Sequence, residues 1–103
     1  MWRWRRGFRG GPGRPMKPRV ISFQPTDMAF GPISLPVVGN PIIMTVDEFE
    51  AFKLIYYDGL RQVKAAKKMK VSRGTVWRCL DNARRKIAAM LVEKRPLVIT
   101  ANP

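Results

Sequence analysis

The side chains of this chain that are able to do chemistry are mostly cations. Twenty Lys and Arg stand against seven Asp and Glu, a formal charge of +13, and there is no His. Cys79 is the one cysteine. Cys/His zinc sites, Cys–His nucleophile pairs and an intramolecular disulfide are therefore excluded by counting. No paired carboxylates fall on a common face either, so no catalytic residue, metal ligand, cofactor or small-molecule site is expected. A surplus of guanidinium and ammonium groups is suited to holding a polyanion, nucleic acid first and an anionic membrane second.

The most informative spacing lies between Gln62 and Leu80. Small Ala65 and Ala66 let two helices approach, Met69 and Val71 plug the space between them, and Val76, Cys79 and Leu80 close the core from the second helix. This is the pattern of a helix-turn-helix. In the longer of these helices Val76, Leu80, Ala83, Ile87 and Leu91 step by four, three, four and four, marking one buried face. A helical step of about 100° then puts Gly74, Arg78, Asp81 and Arg85 on the opposite face with Trp77 beside them. Arg78 can fork to a guanine edge, and Asp81 can accept from cytosine or orient Arg78. Gly74 lets the helix start come close to a nucleic-acid backbone. Thr75 and Trp77 complete the base-facing set, with Trp77 against a thymine methyl or packed on its own protein. The plain alternative is a three-helix bundle whose Arg78 and Arg85 face is merely solvated.

Arg61, Gln62, Lys64, Ser72, Arg73, Arg84 and Arg85 are the expected phosphate contacts. Arg61-Gln-Val-Lys64 opens its helix without a Ser or Thr cap and with cations at the positive end of the dipole. The missing cap costs about 1 kcal/mol, which a bound phosphate would offset. Lys70 stands in the turn where Gly is usual: either the turn avoids a positive φ, or Lys bears a cost of about 1 kcal/mol.

The elements that must position these residues follow from local signals. Thr45-Val-Asp-Glu48 is a capping box with two acids in the first turn. The first helix should run from there to Asp58, with Phe49, Phe52, Ile55, Tyr56 and Tyr57 on a wide apolar face and Gly59 as its left-handed stop. A second helix spans about Gln62 to Met69, and a third of about twenty residues follows the Ser72 cap. Val20 to Phe23 and Leu97 to Thr100 read as short strands. Residues 24 to 44, broken by Pro25, Gly31, Pro32, Pro36, Gly39 and Pro41, read as an ordered-coil connector.

The division expected is a disordered basic arm over 1–18, a strand and connector over 19–44, a helix-turn-helix domain over 45–95, and a C-terminal strand and tail over 96–103. The fold class is mainly α. The arm carries Arg3, Arg5, Arg6, Arg9, Arg14 and Lys17, no acid, and five Gly or Pro between Gly10 and Pro15. Such a segment cannot fold alone. Gly13-Arg14-Pro15 resembles the core of a minor-groove hook, and a solvated tail making nonspecific phosphate contacts is its competitor. The start lacks the apolar stretch of a secretory signal, and no apolar run reaches the roughly 20 residues of a membrane span, which points to a cytoplasmic, nucleoid-associated protein.

Taken together, these segments resemble a family of small bacterial and archaeal proteins predicted to bind DNA, whose helix-turn-helix is similar to the fourth conserved region of sigma factors. The resemblance covers about residues 14 to 100. It rests on Thr45-Val-Asp-Glu-Phe-Glu-Ala51, Gly59-Leu60, Ala65-Ala66, Met69-Lys-Val-Ser-Arg73, Thr75 and Ala83-Arg-Arg-Lys86, flanked by Arg19-Val-Ile-Ser-Phe23 and Leu97-Val-Ile99. It implies DNA binding and transcriptional regulation. The expectation is a sequence-specific regulator of double-stranded DNA; the alternative is a nonspecific protein that coats DNA or binds RNA. A homodimer is expected as well, because two strands of four residues and a wide apolar first helix need more cover than one small chain supplies.

Overall fold

The computed structural model describes residues 2–4, 18–22, 27–33 and 39–101. Among these residues the fold is mainly α, with three helices set against two small sheets.

Helix α1, Val46–Phe52, starts where a strand ends, and Thr45 with Glu48 forms its capping box. The Thr45 N–H donates to Glu48 Oε1 at 2.9 Å. Beyond Phe52 the helix widens into one π-helical turn, Lys53–Tyr57, closed by the Asp58 N–H donating to the Lys53 carbonyl at 2.9 Å. Gly59, at φ +73°, then supplies the left-handed stop. A π turn holds an extra residue, so it breaks the α spacing on which the apolar face of this helix was expected. Leu54 takes the buried position at 1 % exposure, while Tyr56 and Tyr57 turn outward at 55 % and 85 %.

Helix α2 spans Gln62–Met69 and α3 spans Arg73–Glu93. Lys70 between them sits at φ 55°, in the left-handed region, so it bears the cost of about 1 kcal/mol that Gly would avoid. The Val71 N–H donates to the Ala66 carbonyl at 3.0 Å, and the Ser72 hydroxyl accepts from the Thr75 N–H at 3.1 Å, which caps α3. Ala65, Ala66 and Met69 pack with Val76 and Cys79 of α3 and with Ala51 and Leu54. The small alanines allow that approach.

Leu91 departs from the expected buried stripe of α3 and is 69 % exposed. The first half of α3 leans on the helices, whereas Ile87, Ala89 and Met90 lean on a sheet that supports the helix from another side. The buried face therefore rotates away from Leu91.

That sheet has three strands. Strands β1, Trp2–Trp4, and β2, Arg19–Ile21, form a separate ribbon, whereas this sheet is made of β3, Met28–Phe30, β4, Ile42–Thr45, and β5, Leu97–Thr100. β5 lies in the middle, antiparallel to β3 and parallel to β4. Leu97 and Ile99 alternate inward and meet Ile42, Met44 and Ala83. Strand β3 and all of β4 but Thr45 fall within the stretch expected to be coil. Its prolines and glycines stand before and between these strands and not inside them, and each strand is completed by pairing with distant β5.

The ribbon pairs β1, Trp2–Trp4, with β2, Arg19–Ile21, antiparallel, with Trp4 opposite Arg19. The start of the expected disordered arm is thus a strand. Trp4 is 5 % exposed, packed with Ile21, Val46 and Ala101, and its Nε1–H donates to the Ala101 carbonyl at 2.8 Å. Alternating Trp and Arg gave this segment a buried face that its charge concealed. Phe23 and the arm residues Arg5, Arg6, Arg9, Arg14 and Lys17 lie outside the described residues. Among the described residues no helix is long and apolar enough to cross a membrane.

Candidate nucleic-acid interface

The N-terminal turn of α1 forms an acidic centre inside the protein. Asp47, Glu48 and Glu50 are each 2 % exposed. Asp47 Oδ2 meets Arg19 Nε at 3.1 Å, and Glu48 Oε1 accepts from Lys86 Nζ at 2.7 Å. Glu50 accepts from the Ser22 N–H at 2.8 Å and from the Ser22 hydroxyl at 2.9 Å. Burial of a carboxylate is tolerable only with such partners. Sequence reasoning placed two of these acids correctly at a helix start but missed their burial, because Arg19 and Lys86 are remote in sequence. Cys79 borders this centre. Burial, and then the charge of Asp47, push its thiol up to about 12, so it stays protonated and inert near neutral pH.

The opposite distribution holds from the start of α2 through the middle of α3. Residues 61–85 contain nine Lys or Arg and one acid, and all nine cations are exposed: Arg61, Lys64, Lys67, Lys68, Lys70, Arg73, Arg78, Arg84 and Arg85. Helix α2 starts at Arg61 with no side-chain cap and no acid in its first turn. Gln62 beside it is half-buried.

On α3 the expected outer face is outward. Gly74, Arg78 and Arg85 are exposed, Trp77 is 52 % exposed, and Thr75 and Asp81 are half-buried. Thr75 anchors a short polar chain: its hydroxyl lies 2.9 Å from Ser72 Oγ and accepts from Arg78 Nη2 at 3.3 Å. Asp81 pairs with Arg85 at 3.1 Å, so Thr75, and not Asp81, orients Arg78. That follows from position, since Asp81 and Arg85 are one helical turn apart. Arg84 turns toward the π turn, its guanidinium 5.8 Å from the centroid of the Tyr56 ring, which is cation–π distance. A Cβ added at Gly74 would meet only Arg78 Nη1 at 3.8 Å and Ser72 Oγ at 3.9 Å, ordinary contacts. Nothing among the described residues requires a glycine there.

Comparison with known proteins gives a consistent result. A family model described as protein of unknown function DUF134 matches residues 5–102. The UPF0251 protein of Pyrococcus furiosus is 53% identical over 94 residues, covering 88% of this chain and 86% of that protein. The UPF0251 protein of Pyrococcus horikoshii is 52% identical over 86 residues, covering 81% and 77%, and that of Desulfitobacterium hafniense is 42% identical over 87 residues, covering 84% and 70%. No solved structure matches. With one family model spanning nearly the whole sequence and such relatives in archaea and bacteria, the chain belongs to the DUF134/UPF0251 family.

Proposed function

We propose that this protein binds double-stranded DNA sequence-specifically, as a transcriptional regulator. The helix-turn-helix is formed by α2, the turn at Lys70 to Ser72 and α3, whose outer face enters the major groove. The observation that carries this reading is the separation of charge: nine exposed cations line 61–85 while three of the seven acids are buried. Gly74 adds support, since an exposed glycine near a helix start costs helix stability and leaves room for a close external surface.

In this reading Arg78, held by Thr75, reads a base edge, and Gly74, Thr75, Trp77 and Asp81 frame it. Arg61, Gln62, Lys64, Ser72, Arg73, Arg84 and Arg85 hold phosphates. The uncapped start of α2 gains its missing acceptor from the DNA backbone. The protein acts on the nucleoid, in the cytoplasm.

Selection from a random duplex pool tests this. A defined site is the expected product, and Arg78→Ala should cost about 1–3 kcal/mol on that site and little on random DNA. A pool that yields no consensus would replace sequence reading with nonspecific coating.

The working unit in this reading is a homodimer, which places two reading helices on a palindromic site. Tyr57, Leu91 and Val92, at 85 %, 69 % and 79 % exposure, are apolar surface of the kind a second copy covers. Sedimentation at micromolar concentration should give twice the 11.8 kDa chain mass; a single species at the chain mass would make the protein a monomer on an asymmetric site.

A further inference from the structure

The reading head leaves one basic cleft unused. Between the N-terminal ribbon and the end of α2 lies a cleft of about 290 Å³ lined by Arg3, Pro18, Val20 and Lys70. Arg3 stands opposite Val20 across the ribbon, and strand alternation puts the pair on the face turned away from Trp4 and Ile21. Trp4 and Ile21 are in the core with Val46, so the other face meets the end of α2. Val20, 7 % exposed, forms an apolar floor. Arg3 and Lys70 are both exposed, and among the described residues neither has a carboxylate partner.

Two further observations point to use. Lys70 holds its charged side chain at this cleft from a left-handed backbone at φ 55°, a conformation that a glycine would take without strain. Lys94 ends α3 at the same φ of 55°, so what sets Lys70 apart is its place at the cleft beside Arg3. Arg3, for its part, is not on a loose tail. Its ribbon is pinned by Trp4 Nε1 to the Ala101 carbonyl at 2.8 Å and by Arg19 to Asp47 at 3.1 Å. Two cations at fixed positions beside an apolar floor match a phosphodiester, one negative charge flanked by sugar carbons.

We propose that Arg3 and Lys70 form a second backbone clamp, which holds a phosphodiester of the duplex beside the stretch read by α3. The proposal rests on the reading of this chain as a duplex-binding protein. It extends the contact surface beyond the helix-turn-helix to the N-terminal ribbon, and makes Trp4 the pin that positions Arg3.

The test uses Lys70→Gly and Arg3→Gln in the full chain, with binding to the selected site and to random duplex measured across a salt series, and with Tm recorded. Lys70→Gly should raise Tm yet weaken binding to every duplex about threefold to tenfold, with a log–log salt slope shallower by about one. Arg3→Gln should lose the same affinity and slope at unchanged Tm. If Lys70→Gly lowers Tm instead, Arg3→Gln decides, and a wild-type slope in that variant overturns the clamp. Wild-type affinity and slope in both variants, while Arg78→Ala still loses the selected site, overturn the clamp and leave the reading helix intact. A wild-type chain that binds no duplex overturns both.

Discussion

Helices α1 and α2 begin in opposite ways. Each start presents unpaired N–H groups and the positive end of a helix dipole. At α1 these are answered from within: Thr45 and Glu48 form a capping box, and Asp47 and Glu48 are buried with Arg19 and Lys86. At α2 the answer is missing. Arg61 offers no cap, the first turn has no acid, and Lys64 adds a further positive charge. At these two starts the protein thus keeps carboxylates where they hold elements together and leaves cations where an external anion can reach them. A net charge of +13 would say nothing about this division; the fold makes it.

Three experiments can break or sharpen that contrast. The largest effect is expected at the closed start. Glu48→Ala removes the acceptor of both the Thr45 N–H and Lys86, leaving a buried donor and a half-buried cation unpaired, and should cost about 3–5 kcal/mol of stability. Denaturant titration reads it; a loss under about 1 kcal/mol would mean that the buried acids are not what holds α1 in place.

The next concerns pH. Cys79 has its folded-state pKa raised from 9.0 to about 12 by burial and by Asp47. A raised pKa favours the protonated folded form, so its contribution is fully present below pH 9 and is lost as pH rises toward 12. The folding equilibrium constant should fall by up to about tenfold per pH unit in that window. Cys79→Ala should show a flatter decline, and parallel declines would remove the thiol from the acidic centre.

The smallest effect belongs to the open start. Arg61→Ser supplies a cap and removes a cation, so it should gain about 1 kcal/mol of stability while weakening binding to all duplexes alike. A loss of stability would show that Arg61 already serves the fold, and the contrast between the two helix starts would fail.

What was legible in the sequence was what is local. The Ser72 cap, the alanine pair and the steps from Val76 to Ile87 specify α2 and α3 at their observed bounds, and Leu97 to Thr100 is the strand it resembles. Strands β3 and β4 were hidden, since each is only three or four residues among prolines and is stabilised chiefly by β5. The π turn was hidden because Phe49, Phe52 and Ile55 fit an α spacing equally well. Among the site residues, exposure of the α3 face follows from periodicity, but the partner of Asp81 and the stacking of Arg84 on Tyr56 depend on side-chain choices made in three dimensions.

The central place of β5 also bears on how the chain comes into being. Both neighbours of this strand are made earlier: β4 pairs with a segment that begins 55 residues beyond its own start, and Trp4 bonds to a carbonyl 97 positions downstream. A nascent chain that has reached only Lys94 has both outer strands and nothing to join them. The sheet and the ribbon's latch can therefore close only once residues 97–101 have been made, a long-range step of the kind that slows folding. Until then α2 and α3 are already made, but Ile87, Ala89 and Met90 lack the sheet they rest on.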